Sequence, residues 1–183
     1  LALNADQLQS LSAVAEKAGP VLQVGFNRRF SPLAVALREQ LSRAGAPVQI
    51  TYRVNAGPLP REHWLLTPDQ GGGRIVGEGC HFVDLAQFLA GALPTRVQAS
   101  GFGDEATGAR TVEIEFANGS TAVIVYQANA APGVPKEYLE AFSGGRGGII
   151  NDWRRLELHE GRRRRKVRAR GQAKGYAEEI EAF

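Results

Sequence analysis

The sequence has one cysteine, no methionine and no long apolar run. Because Cys80 has no partner cysteine, an intrachain disulfide and a thiolate-built metal site are excluded, and we expect no metal and a reducing compartment such as the cytoplasm. No apolar stretch is long enough to cross a bilayer, so no membrane partner is expected. The chain begins at Leu1 and stops at Phe183 inside a predicted helix, so we expect a fragment of a longer protein.

Positive charge is unevenly placed. The net charge is only +3, yet residues 161–170 read GRRRRKVRAR. Such a run binds phosphate or nucleic acid, or it keeps an exposed edge strand soluble. Because the run contains no aromatic residue for base stacking, the edge strand is favoured and no nucleic-acid partner is expected.

The first 26 residues follow the pattern of an α/β domain. Asn4 is a good N-cap with Gln7 three residues later, and apolar residues at helical spacing continue to Gly19-Pro20. Val21–Phe26 is short, apolar and β-prone, which predicts a buried strand. The helix-then-strand unit occurs once, as if only the tail of such a domain were present.

Two arginines follow the predicted strand. Arg28 and Arg29 stand where the strands of α/β sheets bind ligands, although salt bridging at a helix end explains them equally well. Ser31-Pro32 then begins a helix, with Ser31 as its N-cap and Pro32 at the first position.

The segment Gly71–Asp84, GGGRIVGEGCHFVD, is the richest in chemistry. Glu78 and His81 are three residues apart, which places both on one helical face and predicts a carboxylate–imidazole pair for proton transfer. A hydrogen-bonded core histidine remains the alternative for His81. Asp84 either orients the histidine ring or forms a surface pair.

A loop upstream contains Trp64 beside His63. The indole either covers a ligand or fills the core of its own domain, and the core reading is favoured because large aromatic residues are usually buried.

Alternating apolar and polar residues predict a series of strands after residue 47. A helix from the glycine-rich segment to Gly91 interrupts this series of strands. A last helix begins in Tyr176–Phe183. The fold class is therefore α+β, a twisted, mostly antiparallel sheet with helices on one face. The predicted strands are 48–55, 96–102, 111–116, 120–128, 138–143, 149–150, 154–159 and 163–168.

The order of these motifs resembles a known family. VLQVGFNRRFSP, a strand ending in RVNAGPLP, an HW loop and GGGRIVGEGCHFVDLAQFLAG together are similar to the glucose–fructose oxidoreductase/inositol dehydrogenase (Gfo/Idh/MocA) family and its dehydrogenase subgroup. The resemblance extends over essentially the whole chain.

The resemblance implies a two-domain oxidoreductase that uses NAD or NADP. Residues 1–26 would be the last helix and strand of the dinucleotide-binding domain, and 27–183 the C-terminal substrate and oligomerisation domain. The G-x-G-x-x-G fingerprint and the family's catalytic Glu-Lys-Pro lysine are absent. The family's second domain usually forms a homo-oligomer through its open sheet face.

The resemblance also assigns site residues. His81 matches the histidine that touches the reacting hydroxyl, Trp64 resembles a tryptophan near the cofactor, and Arg29 and Glu78 are candidate substrate contacts. The family's usual aspartate is replaced by Gly77. We therefore expect the parent protein to oxidise a secondary alcohol of a sugar, cyclitol or related polyol, with this chain inactive alone. The alternative is a non-catalytic oligomerisation or binding module of the same fold.

Overall fold

A computed structural model describes residues 2–19, 21–104 and 106–183. Within those ranges the helices are α1 (Ala5–Ala18), α2 (Pro32–Ser42), α3 (Cys80–Ala90) and α4 (Tyr176–Ala182). The strands are β1 (Gln49–Asn55), β2 (Pro94–Phe102), β3 (Ala109–Phe116), β4 (Thr121–Gln127), β5 (Glu137–Ser143), β6 (Arg146–Asn151), β7 (Arg155–Glu160) and β8 (Arg163–Arg168).

The eight strands form one sheet in the order β2-β3-β4-β1-β5-β6-β7-β8. Every neighbouring pair is antiparallel except β1 and β4, which run parallel. The mostly antiparallel α+β fold that the sequence predicts is therefore confirmed, and β8, the arginine-rich strand, lies at an edge as expected.

One face of the sheet is covered by α2 and α3. Ile50, Tyr52 and Val54 alternate along β1 and are fully buried beneath the helices. This period of two follows from the pleat of the strand, which points successive side chains to opposite faces. The opposite face carries partly exposed side chains, among them Val123 and Val125 of β4.

Local capping fixes where the helices begin. The Ser31 hydroxyl accepts a hydrogen bond from the Leu33 amide at 3.2 Å, and Pro32 is the first residue of α2 as expected. At α1, Asn4 accepts from the Gln7 amide at 2.9 Å, while the Gln7 side chain accepts from Leu3 instead of from Asn4.

The strand predicted at Val21–Phe26 is wrong for this chain. The segment forms no ladder with any strand in the described ranges, and Val21 and Leu22 are exposed. A buried parallel strand requires hydrogen-bonding neighbours on both sides, and none of the eight strands lies beside this segment. The first helix ends at Ala18, directly before Gly19-Pro20, where its end was predicted; Pro20 itself lies outside the described residues.

None of the helices in the described part of the chain combines the length and apolar character that crossing a membrane would require.

Candidate functional site

A loop folds tightly against the turn that precedes α3. Leu65 is almost fully buried, and its carbonyl accepts a hydrogen bond from the Gly73 amide at 3.0 Å. A Cβ at Gly71 would overlap the Leu65 backbone, so this close approach requires glycine. The loop is therefore fixed to the glycine-rich segment around the Leu65 side chain.

Gly77 faces the side chain of Leu65, whereas Gly71 faces its backbone. A Cβ at position 77 would overlap Cδ1 of Leu65. The space that a side chain at this position would need is thus filled by a leucine from the upstream loop. The family usually has an aspartate at this position. In this chain Gly77 stands there, and the Leu65 side chain packs against it.

Residues Ile75–Gly79 form a π-helical turn directly before α3. A π-turn holds an extra residue relative to an α-turn, so side-chain alignment along the helix axis changes across it. Glu78 contacts Tyr126, whose hydroxyl donates to Oε2, and Lys136, whose Nζ lies 3.7 Å from Oε1. The expected Glu78–His81 pair is not formed, since Nδ1 of His81 has no hydrogen-bond partner among the described residues.

His81 is half-buried on α3. Its ring meets that of Phe26 edge-on, with centroids 5.8 Å apart. Burial lowers the pKa of His81 below 6.5, and the positive charge of Arg28 lowers it further. Nearby carboxylates, including Glu78, partly oppose this effect. The imidazole is therefore neutral at pH 7, and its buried Nδ1 has hydrogen-bonding capacity that no described residue uses.

Arg29 and Asp84 form a bidentate ion pair. The Arg29 Nε lies 2.9 Å from Asp84 Oδ2, and its Nη2 donates to Oδ1. Asp84 is buried, and its hydrogen bonds go to Arg29 and not to the ring of His81. The structure thus gives Arg29 the salt-bridging role, although about a third of its side chain remains exposed.

A buried cluster around Glu137 was not identified from the sequence. Arg28 donates two hydrogen bonds of 2.9 Å to the carboxylate, and the Trp153 indole donates at 2.7 Å. The Tyr52 hydroxyl donates to the same group, and Lys174 Nζ lies 3.3 Å away. The cluster joins the segment after residue 26 to β1, β5 and the β6–β7 turn.

The electrostatics of Glu137 follow from these contacts. Burial alone raises the pKa of the carboxyl, but the hydrogen bonds and charge of Arg28, helped by Tyr52 and Trp153, outweigh burial and lower the pKa to about 2. Trp153 is fully buried although its φ is 57°, a left-handed conformation uncommon for a bulky residue. Its burial and hydrogen bond offset that backbone strain.

Trp64 is exposed over 58% of its surface and stacks on His63, with ring centroids 5.9 Å apart. The expectation that Trp64 fills the core is therefore wrong. Leu65, the next residue, takes the buried position because the short 3₁₀ turn directs only one of these neighbours inward. An exposed indole face remains on the loop that is hydrogen-bonded to the glycine-rich segment.

Trp64 offers an exposed aromatic face, the kind of surface on which a nicotinamide ring stacks. The glycine-rich segment does not fit the phosphates, because the amides of Gly71 and Gly72 donate to the Thr67 carbonyl and that of Gly73 to Leu65. A phosphate-binding loop needs such amides free.

A family profile described as the GFO/IDH/MocA C-terminal domain matches residues 39–149, which is more than half of the chain. The chain therefore belongs to the GFO/IDH/MocA family. No curated protein is similar in sequence at a significant level.

Solved structures share the fold at low sequence identity. An NAD binding oxidoreductase from Klebsiella pneumoniae is 22% identical over 100% of this chain and 56% of its own, with a TM-score of 0.76. A super-repressor mutant of Gal80p from Saccharomyces cerevisiae is 15% identical over 100% and 55%, with a TM-score of 0.80. A levoglucosan dehydrogenase in complex with NADH is 20% identical over 95% and 54%, with a TM-score of 0.72. The chain thus spans a little over half the length of these structures.

Proposed function

We propose that this chain is the C-terminal domain of an NAD- or NADP-dependent oxidoreductase acting on a secondary alcohol of a sugar, cyclitol or related polyol. The observation that carries the proposal is the match of residues 39–149 to the GFO/IDH/MocA C-terminal domain, together with His81, a half-buried imidazole on the helix that follows the π-turn. The solved structures that share the fold include an NAD binding oxidoreductase and a levoglucosan dehydrogenase, which supports this class.

A bound nicotinamide ring would supply the hydride acceptor for such an oxidation. His81 would touch the reacting hydroxyl and accept its proton or hold it in position, because a neutral imidazole is a suitable acceptor at pH 7. Trp64 would lie against the cofactor. About a third of the Arg29 side chain is exposed, and only this part would reach the substrate, because Asp84 binds the guanidinium group.

The domain assignment follows the same proposal. Residues 1–26 would end a dinucleotide-binding domain, and 27–183 would form the substrate domain. Support comes from α1, in which no residue is buried although Leu8 and Val14 form part of an apolar stripe. We propose that the chain alone has no dehydrogenase activity, since its 183 residues lack the G-x-G-x-x-G fingerprint and the Glu-Lys-Pro lysine. Its single cysteine suits a cytoplasmic protein.

The first test is nucleotide binding by the full-length protein, measured by nicotinamide fluorescence with NADH and NADPH. Binding of either one supports the proposal, and binding of neither refutes it. In the same protein, His81→Ala should lower polyol turnover about 10²-fold, the usual scale for a positioned acid–base group. His159→Ala, on β7, is the matched control and should leave turnover unchanged; an equal loss in both variants would remove His81 from the chemistry.

A second candidate is a non-catalytic oligomerisation or binding module. Gly77 favours it, because this position carries no acid and the Leu65 side chain packs against it. A repressor mutant also shares the fold. The open sheet face suits a homo-oligomer. Glu113 of β3 is exposed towards one end, and Arg164 and Lys166 of β8 lie at the other beside Glu157, so a two-fold axis parallel to the strands would place Glu113 of one copy over the basic edge of the other. Light scattering tests it, since a monomeric protein would exclude this candidate.

A further inference from the structure

The turn before α3 carries one acidic side chain, Glu78. Buried residues on its protein side fix the orientation of this carboxylate. Arg74 is almost fully buried, and its Nε donates to the Tyr126 hydroxyl at 2.8 Å. Because Arg74 uses an acceptor lone pair of that hydroxyl, the single phenolic proton is free to point at Oε2 of Glu78. The hydrogen bonds therefore run in one direction, from Arg74 through Tyr126 to Glu78.

The other carboxylate oxygen is differently placed. Oε1 of Glu78 lies 3.7 Å from Lys136 Nζ, which is an ion-pair distance but too long for a hydrogen bond. Of the two side chains, 30% of Glu78 and 41% of Lys136 are exposed. A carboxylate oxygen and an ammonium group thus stand next to each other, partly in solvent, with the carboxylate held in place by a buried arginine and tyrosine.

This pair selects for a particular chemistry. A hydroxyl group donates well to a carboxylate oxygen, and a second hydroxyl oxygen accepts well from an ammonium group. At this pair the attraction of an anionic substrate to Lys136 would be opposed by its repulsion from Glu78. The pair therefore fits a neutral molecule that carries two adjacent hydroxyl groups.

We propose that Glu78 and Lys136 bind two neighbouring hydroxyl groups of the substrate, with Tyr126 and Arg74 as positioning residues. This inference rests on the proposed polyol oxidoreductase and assigns the residues that would hold two neighbouring hydroxyl groups of its substrate. It also gives the site a carboxylate although Gly77, against which Leu65 packs, has none. The carboxylate comes from the next residue of the π-turn and is directed by β4 instead of by α3.

The test uses the full-length protein and three named probes, myo-inositol, D-glucose and the mono-alcohol cyclohexanol. Dissociation constants are measured by saturation-transfer NMR with saturating NADH or NADPH. Wild-type protein should bind at least one of the two polyols more tightly than cyclohexanol. Glu78→Gln and Lys136→Met should each weaken polyol binding about tenfold, which corresponds to about 1.4 kcal/mol. Cyclohexanol binding should change less, so the ratio of the two dissociation constants should fall. Glu115→Gln on exposed β3 is the control and should change nothing.

The outcomes separate this inference from the function on which it rests. If Glu78→Gln binds the polyols as wild type does while His81→Ala abolishes turnover, the diol site is wrong and the oxidoreductase stands. If no probe binds the wild-type protein, the diol site is overturned whatever the nucleotide result. A Tyr126→Phe variant that keeps its unfolding midpoint but weakens polyol binding would confirm that the phenol acts through Glu78.

Discussion

Helices α1 and α3 carry similar apolar stripes but have opposite surroundings. In α3 the stripe is buried against the sheet, and Phe82, Leu85 and Leu89 are almost fully buried. In α1 no residue is buried, and Leu8 and Val14 are exposed over 53% and 63% of their surfaces. The comparison shows that periodicity determines the helix, whereas burial depends on a partner elsewhere in the protein.

The same contrast separates the segment before residue 27 from the rest of the chain. Stability should reside in the sheet, its two covering helices and the Glu137 cluster, while the first 26 residues contribute little. Residue changes on the two sides of this boundary therefore test the comparison directly.

The largest effect is expected at Glu137. Glu137→Ala leaves Arg28 and Lys174 without their buried counter-charge, so the free energy of unfolding should fall by about 3–5 kcal/mol. Urea unfolding of the 183-residue chain measures it. Glu115→Ala removes an exposed ion pair with Arg96 and serves as the control, with a loss under about 1 kcal/mol. Similar losses in both variants would show that the cluster is not a stabilising centre.

Acid should remove the stabilisation that Glu137 provides. Its pKa is about 2 in the folded chain against an ordinary value of 4.5, so the contribution is fully present above about pH 4.5 and is lost as pH falls towards 2. The full loss is about 3 kcal/mol at 1.36 kcal/mol per pKa unit. Unfolding curves between pH 6 and pH 2 measure it. In Glu137→Gln the free energy of unfolding should change less between pH 6 and pH 2 than it does in the wild-type chain. An equal change in the variant would show that other groups cause the acid sensitivity.

An intermediate effect is expected where Leu65 packs against the turn. Gly77→Asp forces the leucine aside and should lower the free energy of unfolding by about 1–3 kcal/mol. Gly133→Asp, at a position with open space around it, is the control and should cost under about 0.5 kcal/mol.

The pair Gly77→Asp and Leu65→Ala sharpens this prediction. Leu65→Ala alone should cost about 2–5 kcal/mol through its cavity. The double variant should cost less than the sum, because the smaller residue makes room for the aspartate. Additive losses would show that the two side chains do not compete for one space.

The smallest effect is expected from deletion of residues 1–18. Because no residue of α1 is buried, the free energy of unfolding of the remaining chain should change by less than about 1 kcal/mol. Leu37→Ala, in the buried face of α2, is the comparison and should cost about 2–5 kcal/mol. A large loss on deletion would show that α1 has a packing partner within this chain.

Local patterns predicted much of this fold. The alternation in β1 and the cap at Ser31 depend on neighbouring residues, so the sequence shows them directly. The strand at 21–26 was predicted wrongly because strand formation also requires neighbours that local sequence does not reveal.

The candidate site was less predictable for a related reason. His81 could be selected from its surroundings in sequence, but its partners could not. Glu137 lies 109 residues from Arg28 and 85 from Tyr52 along the chain, so no spacing rule connects them. The π-turn likewise redirects Glu78 towards Tyr126, 48 residues away, where helical periodicity predicted His81. The partners of Glu137 and Glu78 are therefore set by the tertiary fold and not by spacing along the sequence.

The parallel pairing of β1 with β4 has a consequence for how the protein acquires its site. The chain leaves β1, forms the π-turn and α3, and passes through β2 and β3 before β4 returns beside β1; Val48 and Ser120, which are hydrogen-bonded across this pair, are 72 residues apart. Closing a loop of that length costs conformational entropy, and pairings between distant segments are typical of slowly folding domains. Because Glu78 is oriented by Tyr126 of β4, their hydrogen bond forms only when this central crossover closes, so a chain that ends before Tyr126 has the helix of His81 without a fixed carboxylate beside it.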